Sequence, residues 1–275
     1  SNAMDGMTID WSGVAAAVAA AEATGGTVGA TIVAPGGETF RHNGDRRFRA
    51  ASTVKIPLMI AVYRAVDAGE RALTDRIVLR AADKAPGSGV LLHLHDGLEL
   101  TLEDLVYLTI SISDNTATNL LIDLVGLDAV NDVIASLGMR DSNLSRKMKG
   151  RPALPDEPEN WATPDDYALA VQALLEGRAA SQESCTAMLA MLEKQQNPRR
   201  IGRYVPEGEG IRWGSKTGSL TGVVNDVGFI TTPAGTLVVA VFTENLPDLH
   251  AGEQAIGDIT RAALQATGLI PPGAA

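Results

Sequence analysis

Two side chains three residues apart give the most direct sign of chemistry in this sequence. The segment Ser52-Thr53-Val54-Lys55 places a hydroxyl and an amine at positions i and i+3, which share one face of a helix. A serine hydroxyl is a weak nucleophile, but a neighbouring amine can accept its proton when neutral or stabilise an oxyanion when charged. If Ser52 begins a helix, the N–H groups of the first turn add positive potential there. Ser52 is therefore a candidate nucleophile, with Lys55 as its partner in proton transfer.

Two further polar motifs follow in settings that suit a shared site. Ser113-Asp114-Asn115 interrupts two apolar helical stretches, where Ser113 can protonate a leaving group and Asn115 can bind a substrate amide. Asp114 or Asn115 could instead merely cap the second helix. Lys216-Thr217-Gly218 lies on a predicted strand, and its glycine lets a substrate backbone approach closely, although an exposed lysine at a strand end would look similar. The order of the three motifs, on a helix start, a helix junction and a strand, favours catalysis.

The elements that must position these motifs are predicted from hydrophobic periodicity and turn signals. A helix over residues 11–24 precedes a hairpin made of TVGATIVA and ETFRHN. Helices are then predicted from Ser52, from Thr101, over TATNLLIDLVG and LDAVNDVIASLG, and from Thr163. Residues 148–161 contain three prolines and are predicted to form a loop. The strands IRWGSKTG, VVNDVGFITT and TLVVAVFTEN precede a last helix over residues 252–267.

Strands at both ends of the chain and helices between them predict an α+β fold. We expect one antiparallel sheet from both chain ends, packed with helices, and an all-helical lobe beside it. A single domain should cover residues 4–275, with an α/β lobe of about 4–50 and 200–275 and a helical lobe of about 51–199. Ser1-Asn2-Ala3 before Met4 looks like an expression remnant. Ligands usually bind where two such lobes meet.

Composition narrows the function classes. The 275 residues are 45% hydrophobic, enough for a proper core, and the formal net charge of −10 disfavours nucleic acid and anionic membrane surfaces as partners. Cys185 is the only cysteine, so an intrachain disulfide is impossible. No stretch resembles a signal peptide or a membrane span. Localisation is left unknown: cytoplasmic as the sequence stands, or periplasmic or secreted if a leader was removed. A monomer is expected.

The histidines are alternative candidates for catalytic or metal-binding groups. His93 and His95 flank Leu94, so in an extended segment they would share a face and could begin a metal site. Neither a cysteine cluster nor a His-Glu-x-x-His motif accompanies them. Packing or a loop hydrogen bond explains them better, and neither a metal nor an organic cofactor is implied.

The three motifs and their surroundings resemble the class A serine β-lactamases and the wider family of penicillin-recognising serine hydrolases. The similar stretches are ASTVKIPLMIAVYRAVDAGE, GSGVLLHLHDGLELTLEDLVYLTISISDNTATNLLIDLVG and WGSKTGSLTGVVNDVG. They cover nearly the whole catalytic domain. The resemblance implies a β-lactamase/transpeptidase-like fold and a small-molecule substrate of the β-lactam or acyl-D-Ala type.

The resemblance also implies roles for the catalytic residues. Ser52 would be acylated, and Lys55 would share the proton transfer. Ser113 would protonate the lactam nitrogen or peptide leaving group, with Lys216 keeping that region electropositive.

Substrate-binding roles follow in the same way. Asn115 would hydrogen-bond the acylamide of the substrate, and Thr217 would contact its carboxylate. The backbone N–H groups of Ser52 and Ser219 would form an oxyanion hole, whose single donors contribute roughly 3–4 kcal/mol in other serine hydrolases.

One departure from the family concerns deacylation. Class A enzymes carry Glu-x-x-Leu-Asn in the loop after the helices, where the glutamate positions water, but this loop reads SRKMKGRPALPDEPENWATP. Alignment from Arg146 brings Gly150 or Arg151 to the position of that glutamate. Glu157 or Glu159 could replace it only if the loop is rebuilt, and otherwise they are solvated loop carboxylates.

A second departure concerns the charge that binds the substrate carboxylate. Many class A enzymes have an arginine just before the Asn225-Asp226 pair, where this sequence has Val224. Arg212 on the preceding strand could supply the charge from another position.

Three functions therefore stay open. The first is a β-lactamase that opens β-lactam rings through an acyl-enzyme on Ser52. The alternatives are a peptidase or esterase acting on D-Ala-D-Ala-like substrates, and a non-catalytic penicillin-binding sensor. Because acylation and deacylation use different groups, the loop departure leaves acylation intact, and we expect measurable but slow turnover of penicillins.

Overall fold

The computed structural model describes residues 8–271, so the remnant at residues 1–3 lies outside the described residues. In chain order the helices are α1 (Ser12–Glu22), α2 (Lys55–Asp67), α3 (Leu102–Ser111), α4 (Asn115–Val125), α5 (Leu127–Ser136), α6 (Pro164–Leu175), α7 (Gln182–Leu192) and α8 (Leu249–Ala266). The strands are β1 (Thr27–Val33), β2 (Thr39–His42), β3 (Phe48–Arg49), β4 (Arg76–Val78), β5 (Glu99–Thr101), β6 (Trp161–Ala162), β7 (Arg212–Leu220), β8 (Val223–Thr232) and β9 (Gly235–Glu244).

The main sheet is built from both ends of the chain. Its strand order is β2-β1-β9-β8-β7, and every neighbouring pair is antiparallel. The short strands β3 with β6, and β4 with β5, form two separate pairs that the hydrophobic pattern did not predict. The predicted α+β class, with a sheet from both chain ends and helices between, is confirmed.

Helices cover both faces of this sheet, which explains why β9 is buried along most of its length. Alternate residues of β9 point to opposite faces, as a period of two requires. Val239 and Val241 pack with α1 and α8 on one face. Phe242 packs on the other face against the helical part of the molecule, where its ring lies 5.7 Å from that of Tyr167.

Local sequence signals explain most helix ends. The capping box predicted at Thr101 and Asp104 is present, and Thr163 caps α6. The last helix begins at Leu249, before the predicted residue 252, because the Asp248 carboxylate accepts a hydrogen bond from the Ala251 N–H at 2.8 Å. Within residues 8–271, no helix is both long and apolar enough to cross a membrane.

The predicted helix from Ser52 has a tighter first turn than expected. Residues Ala51–Val54 form a 3₁₀ turn, and the α-helix α2 starts only at Lys55. Pro57 lies in the first turn of α2, where its missing N–H costs no helical hydrogen bond. The expected loop over residues 148–161 contains no helix and reaches a strand only at β6.

Candidate active site

Ser52 lies on a turn that the sheet holds in place. Ala51, just before it, has a left-handed backbone with φ of 49°, a conformation that costs a non-glycine residue energy. The Asn225 side-chain amide on β8 donates to the carbonyl oxygens of Arg49 and Ala50, at 3.0 and 3.3 Å. A Cβ atom at Gly218 on β7 would lie 3.2 Å from the Ser52 nitrogen. Gly218 therefore lets the edge of the sheet approach the nucleophile.

Lys55 is fully buried, and its ammonium position faces the helix junction. Nζ donates to the Ser113 carbonyl oxygen at 2.9 Å, to Ser113 Oγ at 2.8 Å and to Asn115 Oδ1 at 2.9 Å. Burial holds the pKa of Lys55 well below its ordinary value, Lys216 lowers it further, and Asp114 opposes the shift. The buried amine therefore holds its proton less firmly than an exposed lysine, and it lies one residue after the turn that bears Ser52.

The Ser113-Asp114-Asn115 segment caps α4 and also contributes side chains to the cleft. Ser113 has a left-handed φ of 58°, which turns the chain sharply between α3 and α4. The Asp114 carboxylate caps α4 through the Ala117 N–H and also accepts from the Val90 and Leu91 N–H groups. The capping interpretation is therefore correct for Asp114, while Ser113 and Asn115 face the cleft.

Lys216 approaches the same hydroxyl from the sheet. Its Nζ donates to Ser113 Oγ at 3.1 Å and to the Thr217 carbonyl oxygen at 2.6 Å. Burial lowers the pKa of Lys216 to about 7, Asp226 opposes that shift, and Arg200 adds to it. The Ser113 hydroxyl is thus hydrogen-bonded to two buried amines, and burial lowers the pKa of both.

These residues border a cleft of about 380 Å³ between the sheet and the helices. Thr217 and Ser219 line it, and because they are two residues apart on β7 they share a face. Within residues 8–271, β7 has no strand paired on its outer side, so an extended substrate can lie along it. Of the predicted site residues, Ser52, Ser113, Asn115, Thr217 and Ser219 line the cleft directly, and Lys55 and Lys216 lie behind them, bonded to Ser113.

Arg200 is a cleft residue that sequence reasoning missed. Its side chain is 3% exposed and lines the cleft. Its guanidinium donates to the Glu253 carboxylate at 2.9 Å, to the Gly218 and Asn225 carbonyl oxygens, and to Ser219 Oγ at 2.6 Å. No local pattern marks it, because its surroundings come from β7, β8 and α8.

Arg212, the charge suggested from the sequence, lies elsewhere. Its side chain is 66% exposed and forms an ion pair with Glu193 at 2.6 Å. It is absent from the residues that line the cleft among those the structure describes. The suggestion that Arg212 supplies charge to the site is therefore wrong, and the buried arginine that lines the cleft is Arg200.

The two loop glutamates have different positions. Glu157 accepts hydrogen bonds from Arg151 and Lys149, which hold its pKa far below the ordinary value, and it is not a cleft residue. Glu159 does line the cleft, but Arg49 and Arg146 lie 3.5 and 3.6 Å from its oxygens. Residues 146–151 also line the cleft, so the stretch aligned with the family glutamate faces it without a carboxylate.

The remaining sequence candidates have structural positions. Cys185 is a buried residue of the helical core. His93 ends a short 3₁₀ turn, so it does not share an extended face with His95. Among residues 8–271 there is no group of three or more His, Cys, Asp or Glu side chains placed to hold a metal ion.

Comparison with known proteins agrees with this geometry. A β-lactamase of Rhodobacter capsulatus is 33% identical over 169 residues, which are 59% of this chain and 56% of that protein. The matched part thus spans little more than half the length of that relative.

Solved structures extend the similarity to the fold. A β-lactamase from Sphaerobacter thermophilus DSM 20745 has 99% identity and a TM-score of 0.95, covering 97% of this chain and 100% of that one. An ancestral class A β-lactamase has 28% identity and a TM-score of 0.83, covering 92% and 98%. The profile of the β-lactamase enzyme family matches residues 13–267. This chain therefore belongs to the β-lactamase enzyme family, as its three motifs predicted.

Proposed function

We propose that this protein opens β-lactam rings through an acyl-enzyme on Ser52. The observation that supports this most directly is the Ser113 hydroxyl, held by Lys55 at 2.8 Å and by Lys216 at 3.1 Å in the cleft that also contains Ser52. That arrangement joins a nucleophile, a base and a proton donor. Because one chain supplies all of these groups, we propose that a monomer is sufficient for catalysis.

In the acylation step, Ser52 Oγ forms a bond to the lactam carbonyl carbon while its proton passes to neutral Lys55. The lactam C–N bond then breaks. The leaving nitrogen takes a proton from the Ser113 hydroxyl, and Lys55 replaces that proton through its hydrogen bond to Ser113. The product is an ester on Ser52 with an opened ring, and the amine is neutral again.

Substrate orientation follows from the hydrogen bonds left available in the cleft. The Asn115 amide nitrogen donates to the Pro86 carbonyl oxygen at 3.1 Å, which leaves its second N–H for the substrate acylamide. Ser219 Oγ accepts from Arg200, so its own hydrogen can be donated to a substrate carboxylate. Thr217 and the Arg200 charge lie beside it.

The cleft offers few groups that could catalyse hydrolysis of the acyl-enzyme ester. A deacylating water needs a base, and Glu159 is the only carboxylate among the described residues that line the cleft. Both of its oxygens already have partners, since Arg49 and Arg146 lie 3.5 and 3.6 Å from them and the Ala153 and Asn160 N–H groups donate to them. We infer that deacylation limits turnover and that the acyl-enzyme accumulates.

The test is nitrocefin turnover measured together with the intact mass of the protein after mixing with benzylpenicillin. We expect a burst of one equivalent, slow steady turnover, and a mass increase that Ser52→Ala abolishes. Labelling that survives in Ser52→Ala would refute the assignment of the nucleophile. A permanent adduct without turnover would support the sensor alternative, and turnover of D-Ala-D-Ala peptides or esters alone would support the peptidase or esterase.

A further inference from the structure

One wall of the cleft, formed by residues 146–151, is positively charged although the protein as a whole is acidic. The chain has a net charge of −10, yet five cations line the cleft with a single carboxylate, Glu159. The cations are Arg146, Lys147, Lys149, Arg151 and Arg200. Four of them belong to residues 146–151, here called the basic segment. Such a concentration of one charge sign in a cleft raises the local potential for a ligand of opposite sign.

Ion pairs cancel only part of this charge. Lys149 and Arg151 both pair with the carboxylate of Glu157, so two cations share one anion. The Glu157 side chain is not part of the cleft lining, whereas both cations are. Lys149 is also 44% exposed, which leaves its ammonium able to contact a ligand. Lys147 also pairs with Asp123, and Arg146 with Glu159, so the four cations of the basic segment have three paired carboxylates and an excess of positive charge remains.

Arg146 adds a cation with unused hydrogen-bond donors. Its side chain is only 9% exposed, and its Nη2 donates to the Arg151 carbonyl oxygen at 2.8 Å. Its Nε and Nη1 atoms are buried and have no hydrogen-bond partner within residues 8–271. Buried donors without partners are uncommon in folded proteins, so this guanidinium has unsatisfied capacity for an anion.

The position of Asn115 shows which end of a substrate meets the basic segment. A Cβ atom at Gly87 would lie 2.5 Å from the Asn115 side-chain nitrogen and 3.1 Å from Gly150 Cα. The amide of Asn115 and the backbone of the basic segment therefore flank the same narrow space. An acylamide bound by Asn115 would therefore place its substituent beside this segment, and a ring carboxylate bound by Ser219 and Arg200 would lie along β7.

We propose that, within the β-lactam hydrolase function above, the basic segment selects substrates whose acyl substituent carries a carboxylate. This carboxylate is additional to the one that every penicillin has on its ring. Lys149 and Arg151 are the specificity-determining residues, and Arg146 supports them with a buried charge.

A matched pair of penicillins tests the preference. Benzylpenicillin and its α-carboxy derivative differ by one carboxylate, on the carbon next to the acylamide carbonyl. The second-order acylation rate constant of each is measured by mass spectrometry after rapid quenching. We expect Lys149→Gln to lower the rate constant for the α-carboxy penicillin about fivefold and to leave benzylpenicillin within about twofold. A fivefold change equals about 1 kcal/mol, an ordinary value for a partly exposed charge pair.

Two control variants separate charge from structure. Lys149→Arg should retain the preference, because it keeps the charge. Arg212→Gln removes a cation that is outside the cleft lining and should leave the ratio of the two rate constants unchanged. The ratio should also fall as salt is raised, since screening weakens exposed charge pairs. Equal losses for both penicillins in Lys149→Gln, or a ratio that none of these changes moves, would overturn the proposed preference.

A second measurement distinguishes failure of this preference from failure of the proposed function. Binding of the two penicillins to Ser52→Ala, measured by calorimetry, does not require acylation. If neither penicillin acylates the unmodified protein, the hydrolase function is wrong, and the calorimetric affinity ratio still reports the charge preference. Equal affinities for the two compounds would overturn it.

Discussion

The ion pair between Glu253 and Arg200 is expected to stabilise both the fold and the cleft. The Glu253 side chain on α8 is 7% exposed and accepts from Arg200 at 2.9 Å, from Asn197 at 3.2 Å and from Arg199 at 3.3 Å. Glu253→Gln keeps the shape of the side chain and removes its charge. The Arg200 guanidinium then stays buried without the carboxylate to which it donates its hydrogen bond.

The expected cost follows from that burial. Removing one partner of a buried ion pair costs about 3–5 kcal/mol. Arg200 keeps its acceptors at Gly218, Asn225 and Ser219, so we expect the lower end, about 3 kcal/mol. For a domain of this size that corresponds to a Tm lower by roughly 6–12 °C. Because Arg200 also orients the Ser219 hydroxyl, KM for a penicillin should rise more than kcat falls.

The assay is urea denaturation of the unmodified protein, Glu253→Gln and the matched control Glu193→Gln. Glu193 pairs with Arg212 at the surface, where the arginine is 66% exposed, so the control should lose at most about 1 kcal/mol. If Glu253→Gln is no less stable than Glu193→Gln, the backbone acceptors alone hold Arg200 and the reasoning is wrong.

The pH dependence of the same difference adds a second check. Burial opposes ionisation of Glu253, but hydrogen bonds from Arg200 and Asn197 outweigh it, so its pKa is lowered from the ordinary 4.5. A lowered folded-state pKa gives stability that is present above the unfolded pKa and lost as pH falls through the folded one. The difference between the unmodified protein and Glu253→Gln should therefore be full at pH 7 and shrink below about pH 4.5. A difference that grows with acidification would contradict the sign.

Three further outcomes concern catalysis. Lys55→Ala should lower the acylation rate by orders of magnitude, because it removes the proton acceptor; unchanged acylation kinetics in a folded variant would limit Lys55 to a structural role. The kcat/KM for a penicillin should fall as pH rises through about 7, where Lys216 loses its charge, and Lys216→Arg should move this limb to higher pH. A profile that is flat from neutral to alkaline pH would show that the charge is not needed. Glu159→Gln should change the acyl-enzyme lifetime far less than the ~100-fold expected for loss of a general base. An acyl-enzyme that becomes trapped in this variant would identify Glu159 as the deacylation base.

Local chemistry allowed the elements and the three motifs to be predicted from the sequence. Caps such as Thr101 with Asp104, and Thr163 before α6, act within one helical turn, so their signals are complete in a short stretch. Alternation along β9 likewise reflects the pleat of a single strand. Ser52 and Lys55 are three residues apart, so their placement on adjacent helical turns was predictable before any fold was known.

Only the tertiary structure shows how the side chains of the three motifs contact one another and how burial changes the pKa values of the two lysines. Ser113 is 58 residues from Lys55 and 103 from Lys216, yet both amines reach its hydroxyl. The lowered lysine pKa values depend on burial and on charges from other elements, which no local pattern encodes. Arg200 entered the cleft, while Arg212, on the same strand as Lys216, pairs with Glu193 at the surface. Whether a side chain points into the cleft or to the surface depends on how distant segments pack against it, and spacing in the sequence does not specify that packing.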